Sequence, residues 1–417
     1  MTLAAPLEVD DWGAQSMPDA SPVKWHLAHT TWFFERFVLR PLGLPPVSDA
    51  YDYLFNSYYE SVGSRQPRPL RGLLTRPTAS EVIRYRKIVD GRLADLEGDP
   101  RLGEVAMALE LGKHHEEQHQ ELLLTDVKHL FGVSPLLPAY RQLAGGDARA
   151  DGPAAPMSWQ RFDGGVYSIG HDDGAAGDGA ATFSFDNERP RHRVFATPFE
   201  IASRLVTVGE YRAFIEDGGY RRPELWLSDG WAWVHARPHD PVRAPLYWDL
   251  DAEAIFTLAG KRPFRDSEPV CHVSYYEADA YARWSRSRLP REAEWEIVAE
   301  RSLAKNDPSS VGTFVEDGAL HPRAARVSGA AGPGGITQLL GDVWEWPASG
   351  YEPYPGYVPL AGAFAEYNGK FMVSQMVLRG GSCATARSHI RATYRNFFPP
   401  SAAWQFTGIR LARDLGS

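Results

Sequence analysis

Apolar residues recur at helical spacing through the first third of the chain. Ser21-Pro22 reads as an N-cap followed by proline at the first helical position. Residues 23–39 then carry Trp25, Ala28, Trp32, Phe33 and Val38, and Pro41 and Pro45 end the helix. Thr78-Ala-Ser-Glu81 is a capping-box pattern that opens a second helix through EVIRYRKIVDGRLADLEG. Residues 103–130 give a third, with Gly132 as its expected C-cap. Three or four long helices with short breaks predict an antiparallel bundle.

The pattern changes at residues 138–157, PAYRQLAGGDARADGPAAPM, where Ala, Gly, Pro and Asp dominate and periodicity disappears. Beyond it, the strand-like pieces GGVYSIG, HRVFATPFEIAS, VLRGGSC and TGIRLARD alternate with turns. Helical stretches interrupt at residues 207–215, 274–288 and 292–300. The expected fold class is α+β in two domains: a helical bundle over 1–140, a linker over 141–157, and a loop-rich α+β domain over 158–417.

Composition narrows the function. The chain has 417 residues, 43% hydrophobic and 23% charged, which is globular and excludes a disordered, collagenous or coiled-coil chain. A formal charge of -9 argues against a nucleic-acid partner. The two cysteines, Cys271 and Cys383, make no disulfide framework and fit a reducing cytoplasm. The N-terminus lacks the basic and apolar regions of a signal peptide, and no run of apolar residues is long enough for a membrane span. A cytoplasmic protein without a membrane partner is expected.

The candidate chemistry is a histidine constellation. His115-Glu-Glu-Gln-His119 lies mid-helix, and positions i and i+4 share a face, so both imidazoles can bind one ion. The first helix carries Trp25-His26-Leu-Ala-His29. In a bundle, His29 and the His115/His119 pair can point at a common centre, giving a three-histidine metal site with open positions. His26 and His114 are rival ligands, although His114 lies about 100° around the helix from His115. The string also matches H-E-x-x-H, the zinc-protease motif, in which Glu116 would be the general base. Spacing alone leaves zinc hydrolysis and Fe(II) oxygen chemistry both open.

SPVKWHLAHTTWFFE, LFNSYYESVG, RPLRGLLTRPT and HHEEQHQELLLTDVKH resemble the DinB-like amino-terminal half of the ergothioneine-biosynthesis sulfoxide synthases, the EgtB family. FDNERPRHRV, RLPREAEWE, GDVWEWPAS, EYNGKFMVSQMVLRGGSCA and RATYRNFFPPSAAWQFTGIRLARD are similar to the formylglycine-generating-enzyme, or sulfatase-modifying-factor, fold, which is C-type-lectin-like. The resemblance implies a non-haem Fe(II) enzyme that uses O2 to join a thiol sulfur to C2 of the hercynine imidazole and oxidises that sulfur to a sulfoxide. It also implies His29, His115 and His119 as the iron ligands, with Gln118 facing the substrate imidazole. The copper-binding cysteines of formylglycine-generating enzymes align with Thr385 and Ile390 here, which argues against formylglycine chemistry. Asp342 and Pro347 in GDVWEWP also depart from many relatives and read as structural, since the WEW residues are expected in the core.

The same resemblance points to Tyr58 and Tyr59 as proton donors for O2 reduction, to Asn396 as a hercynine contact and to Phe397 as a pocket wall. Hercynine carries a quaternary ammonium, which aromatic faces hold well. The site is expected where the two domains meet. Arg68 and Arg71 are candidates for the carboxylate of the second substrate, since arginine matches carboxylates bidentately, and Arg68 is preferred because it lies closest to the tyrosine pair in sequence. Relatives that accept γ-glutamylcysteine carry Asp at the position of Phe398, and a phenyl ring cannot pair with the γ-glutamyl ammonium. Cysteine is therefore the expected thiol. A selenosugar, giving selenoneine, is the nearest rival; a zinc hydrolase and a non-catalytic binding module are more distant ones.

Overall fold

The structure is a computed structural model, and it describes residues 1–141, 154–172, 183–236, 241–304, 311–325 and 335–415. The expected linker at 141–157 lies mostly outside the described residues. The chain divides into two compact units, Met1–Arg141 with Ala361–Tyr367, and Gln142–Leu360 with Asn368–Ser417. The excursion Ala361–Tyr367 corrects the sequence reading, which left it in the second domain. Nothing in its composition, AGAFAEY, marks it as part of a helical unit.

The first unit holds α1 (Val23–Phe34), α2 (Tyr51–Phe55), α3 (Ala79–Ala94) and α4 (Ala106–Gly132). Three of these helices are long, and α2 is five residues long. Helix α1 packs against both α3 and α4. Val23 through Phe33 are all buried, as befits a helix enclosed on every side. A wider π-helical turn, Glu35–Leu39, completes the predicted run. The expected N-cap shifts by one residue. Pro22 takes the extended cap position, while the Ser21 N–H donates to Asp126 Oδ2 at 2.8 Å and its hydroxyl accepts from Arg71 at 2.9 Å. The Thr78/Glu81 capping box forms as predicted. Gly132 is the last residue of α4 and is followed by Val133 in the right-handed region, so it is not a left-handed cap.

The second unit is built of small sheets. Trp159–Phe162, Phe199–Ala202 and Ala412–Asp414 form one antiparallel sheet, and Gly165–Ile169 pairs with His192–Ala196. The predicted strand HRVFATPFEIAS is thus two strands in different sheets, split at Thr197-Pro198. Met376–Leu378 pairs with Asn396–Phe398. A sheet of Trp248–Asp249, Ala254–Thr257 and Gly260–Pro263 was not anticipated. Helices α5 (Val208–Glu216), α6 (Ser228–Val234), α7 (Tyr275–Trp284) and α8 (Glu292–Ala304) accompany these sheets, and α6 too had no clear sequence signal. Trp344, Glu345 and Trp346 are buried as expected. Glu345 is satisfied by Arg410 at 2.8 Å and by the Trp295 indole N–H at 2.8 Å. The Asp186 carboxylate accepts from Tyr357 Oη, the Leu360 N–H and Asn368 Nδ2. It thereby pins both residues that flank the Ala361–Tyr367 excursion.

Close packing of α1 on α4 depends on Gly112. A Cβ there would lie 2.6 Å from Phe34 Cε1 and 3.2 Å from Phe33 Cε1. Gly→Ala inside a helix ordinarily stabilises by about 1 kcal/mol. Here overpacking costs about 1–3 kcal/mol and reverses the sign. Gly112→Ala is expected to lower the midpoint of urea unfolding; a raised midpoint would show that the two helices separate freely.

Candidate metal centre

Helix α1 supplies His29 and α4 supplies His115 and His119, one helical turn apart on a shared face. One ring nitrogen from each lies within 4.8 Å of the others. His29 Nε2 and His115 Nε2 are 3.1 Å apart, and the His119 ring centroid is 4.7 Å from that of His29 and 4.6 Å from that of His115. His29 is completely buried and Trp25 stacks on it at 4.6 Å. Burial, followed by the other histidines, holds the His29 and His119 pKa values well below normal, and burial alone takes His115 down to about 3. All three are therefore neutral near pH 7, the form in which imidazole ligates a metal. The Phe55 carbonyl accepts from His29 Nδ1 at 2.6 Å, which leaves the Nε2 lone pair facing the centre. Three neutral, converging nitrogens with one tautomer already fixed fit a divalent transition metal.

The rival histidines do not join this centre. His26 Nδ1 lies 2.9 Å from His119 Nδ1, behind the ligand, and its Nε2 is 3.0 Å from Asp126 Oδ2. His114 lies 3.4 Å from Glu110 and 3.1 Å from Glu117. Glu116, the base of a zinc hydrolase, accepts instead from Arg86 at 2.8 Å.

The tyrosine loop is shaped by Asn56, whose Oδ1 accepts from the Tyr59 N–H at 3.0 Å and whose Nδ2 donates to the Tyr59 carbonyl at 2.9 Å. Tyr59 is fully buried, with its ring among Trp32, Phe33 and Phe37. Burial, then the phenols of Tyr58 and Tyr367, hold its pKa well above the usual value. Tyr58 is partly exposed and meets Tyr367 edge-on at 6.1 Å.

Tyr367 is the residue that sequence reasoning missed. Its hydroxyl donates to Gln118 Oε1, and its ring lies 6.0 Å from that of His115. Two anchors hold it there. Glu366 accepts from the N–H groups of Glu60 at 2.8 Å and Ser61 at 3.0 Å, and Phe364 packs on Phe33 and Phe37. Gln118 is thus beside the centre, with its amide oxygen facing Tyr367.

Of the two arginines, Arg68 is exposed and Arg71 is buried. The Arg71 guanidinium lies 3.3 Å over the Trp25 ring and donates to Ser21 and Ser57 hydroxyls, with no carboxylate in ion-pair contact among the described residues. Burial, then Arg68, pushes its pKa down to about 8. Asn396, Phe397 and Phe398 lie in the second unit on one short strand. Phe397 stacks on Tyr351 at 4.2 Å, Phe398 meets Trp404 at 5.6 Å, and Asn396 Oδ1 accepts from the Phe397 N–H.

The second half defines the class. Residues 161–415 match the family described as sulfatase-modifying factor enzyme 1-like domain. The whole chain goes further. It is 34% identical over 416 residues to a hercynine oxygenase of Mycobacterium tuberculosis, covering 95% of this chain and 92% of that one. It is 32% identical over 419 residues to a hercynine oxygenase of Mycolicibacterium thermoresistibile, covering 95% and 88%. Ergothioneine biosynthesis protein 1 of Schizosaccharomyces pombe is 28% identical over 239 residues, 56% of this chain and 28% of that one. The chain belongs to the hercynine oxygenase family, the EgtB-type enzymes of ergothioneine biosynthesis.

The geometry predicts that His29→Ala, His115→Ala and His119→Ala each abolish retention of a divalent metal by purified protein. His114→Ala is expected to keep it. Elemental analysis checks this, and metal loss confined to the His114 variant would reassign the site.

Proposed function

We propose that the protein is a hercynine oxygenase that joins cysteine to C2 of the hercynine imidazole and leaves the sulfur as a sulfoxide. The observation that carries the reading is the neutral three-histidine centre, with His29 and His115 buried and His119 partly buried, in a chain similar along its length to hercynine oxygenases. On this reading the helical unit is a DinB-like bundle over residues 1–140, with 158–417 as the sulfatase-modifying-factor-like domain. The electron balance closes without an external reductant. A C–H and an S–H bond are lost, a C–S bond forms, one atom of O2 ends on sulfur and the other leaves as water. His29, His115 and His119 would hold Fe(II), which supplies affinity for thiolate and O2 when bound.

The chain's own groups orient the organic partners and move protons. O2 reduction takes up protons, and the Tyr367 hydroxyl, aimed at Gln118, would deliver one directly or through Tyr58. Tyr59 serves the packing of the loop. Gln118 would turn its amide to the hercynine imidazole, and Asn396 and Phe397 would meet hercynine as the resemblance implies. Arg68 and Arg71 are the candidates for the cysteine carboxylate, and Arg68 is the exposed one of the two. Commitment of Glu116 to Arg86 weighs against zinc hydrolysis.

The test is a product assay with hercynine, O2 and equal concentrations of cysteine, γ-glutamylcysteine and a selenosugar, read by mass. Cysteine is expected to exceed γ-glutamylcysteine by about tenfold or more in kcat/KM, which needs only about 1.4 kcal/mol. A γ-glutamyl adduct in the majority would sink the Phe398 argument, and a selenium adduct in the majority would make the protein a selenoneine synthase. In the same assay Tyr367→Phe or Tyr58→Phe should slow C–S product formation by about tenfold or more and favour oxidation of the thiol alone. Parental rate and ratio in both would remove the tyrosines from the proton path.

A further inference from the structure

The three candidate ligands differ behind the centre. His29 rests on a neutral backbone carbonyl, at 2.6 Å from Phe55 O. His115 Nδ1 is buried with no hydrogen-bond partner among the described residues. Only His119 is backed by a second side chain, His26, which is itself backed by a carboxylate, Asp126. We infer that Asp126 and His26 form a positioning relay that fixes the ring orientation and tautomer of His119 and thereby sets metal affinity through that ligand alone.

Counting protons fixes the direction of each hydrogen bond. A carboxylate oxygen only accepts, and Asp126 Oδ2 already faces the Ser21 N–H at 2.8 Å. The nitrogen of His26 beside it, Nε2 at 3.0 Å, must therefore donate. A neutral His26 then has an unprotonated Nδ1, which accepts from His119 Nδ1–H across 2.9 Å. That arrangement leaves the His119 Nε2 lone pair free for the centre. Reversing the middle hydrogen bond would put the His119 proton on Nε2 and block ligation.

The positions follow from the helices. His26 is three residues before His29 on α1, and Asp126 is seven after His119, two turns along α4, so the helix pair that carries the ligands carries their support as well. Ser21 closes the chain of contacts from just outside the start of α1. His26 and Asp126 are both buried, so water does not compete for the hydrogen bond between them. His26 is therefore a positioning residue and not the alternative ligand that its spacing suggested.

The inference rests on the three-histidine metal reading and not on the substrate. The experiment measures Co(II) affinity of the full-length protein by chelator competition, together with the visible d–d spectrum. Absence of Co(II) binding by the parent protein would refute the metal reading itself. With the parent binding, His26→Leu and Asp126→Leu are expected to weaken Co(II) by about 10–100-fold and to alter the d–d bands. His26→Asn places an amide oxygen where Nδ1 stood and should recover much of the loss. Asp126→Asn should do likewise, because the Ser21 N–H keeps an oxygen turned towards it. Parental affinity and spectrum in both Leu variants would overturn the relay. Should the Leu variants not fold, nitrogen NMR of the Zn(II)-loaded parent decides. A proton on His119 Nδ1 with His26 Nδ1 bare supports the relay, and the reverse refutes it.

Discussion

Three imidazoles brought together, two of them away from water, are the constraint on which the rest of the first unit depends. Charged, they would repel one another and lack solvation, so burial holds them neutral. Neutral, they still need their ring protons parked where they do not point at one another. The Phe55 carbonyl does this for His29 and the His26–Asp126 pair for His119. Burial on that scale requires α1 to be covered on every side, which is why WHLAHTTWFF has no exposed polar stripe. It also requires α4 to come close, which is why the turn before His115 carries a glycine against Phe33 and Phe34.

Electrostatics and chain path converge on the same place. Arg71 is a buried cation whose field reaches His29 and His119; hydroxyls and an indole face touch it, and the Asp126 carboxylate attracts it without ion-pair contact. Tyr367 reaches His115 from far along the sequence, carried by a seven-residue excursion that Glu366 fastens to two backbone N–H groups of the tyrosine loop. Asp186 holds the two flanking residues, Leu360 and Asn368.

What was legible in the sequence follows a physical rule. Local signals read well: the Thr78/Glu81 box, the helices from residues 23, 79 and 106, and the i, i+4 histidines all depend on neighbours within a turn or two. His29 could be offered as a third ligand only by supposing that the helices face one another. Signals that depend on distant partners read poorly. Ser21 looks like a cap until Arg71 and Asp126 claim its hydroxyl and its N–H. His26 looks like a ligand until Asp126, a hundred residues away, turns it into a support. HRVFATPFEIAS is continuous in β-propensity, and only the different partners of its halves reveal two strands. Tyr367 carries no local mark at all, because its role comes from the path of the excursion.

Charge balance supplies the last step. Three neutral donors leave both charges of a divalent ion uncompensated, unlike a site with a carboxylate ligand. Asp126 is separated from the centre by two imidazoles and acts on it by polarising His119 through His26. Arg71 adds a third positive charge without an ion-pair partner among the described residues. The first unit therefore gathers positive field around a centre whose ligands carry no charge of their own, and burial, which keeps the three imidazoles neutral, makes that arrangement possible.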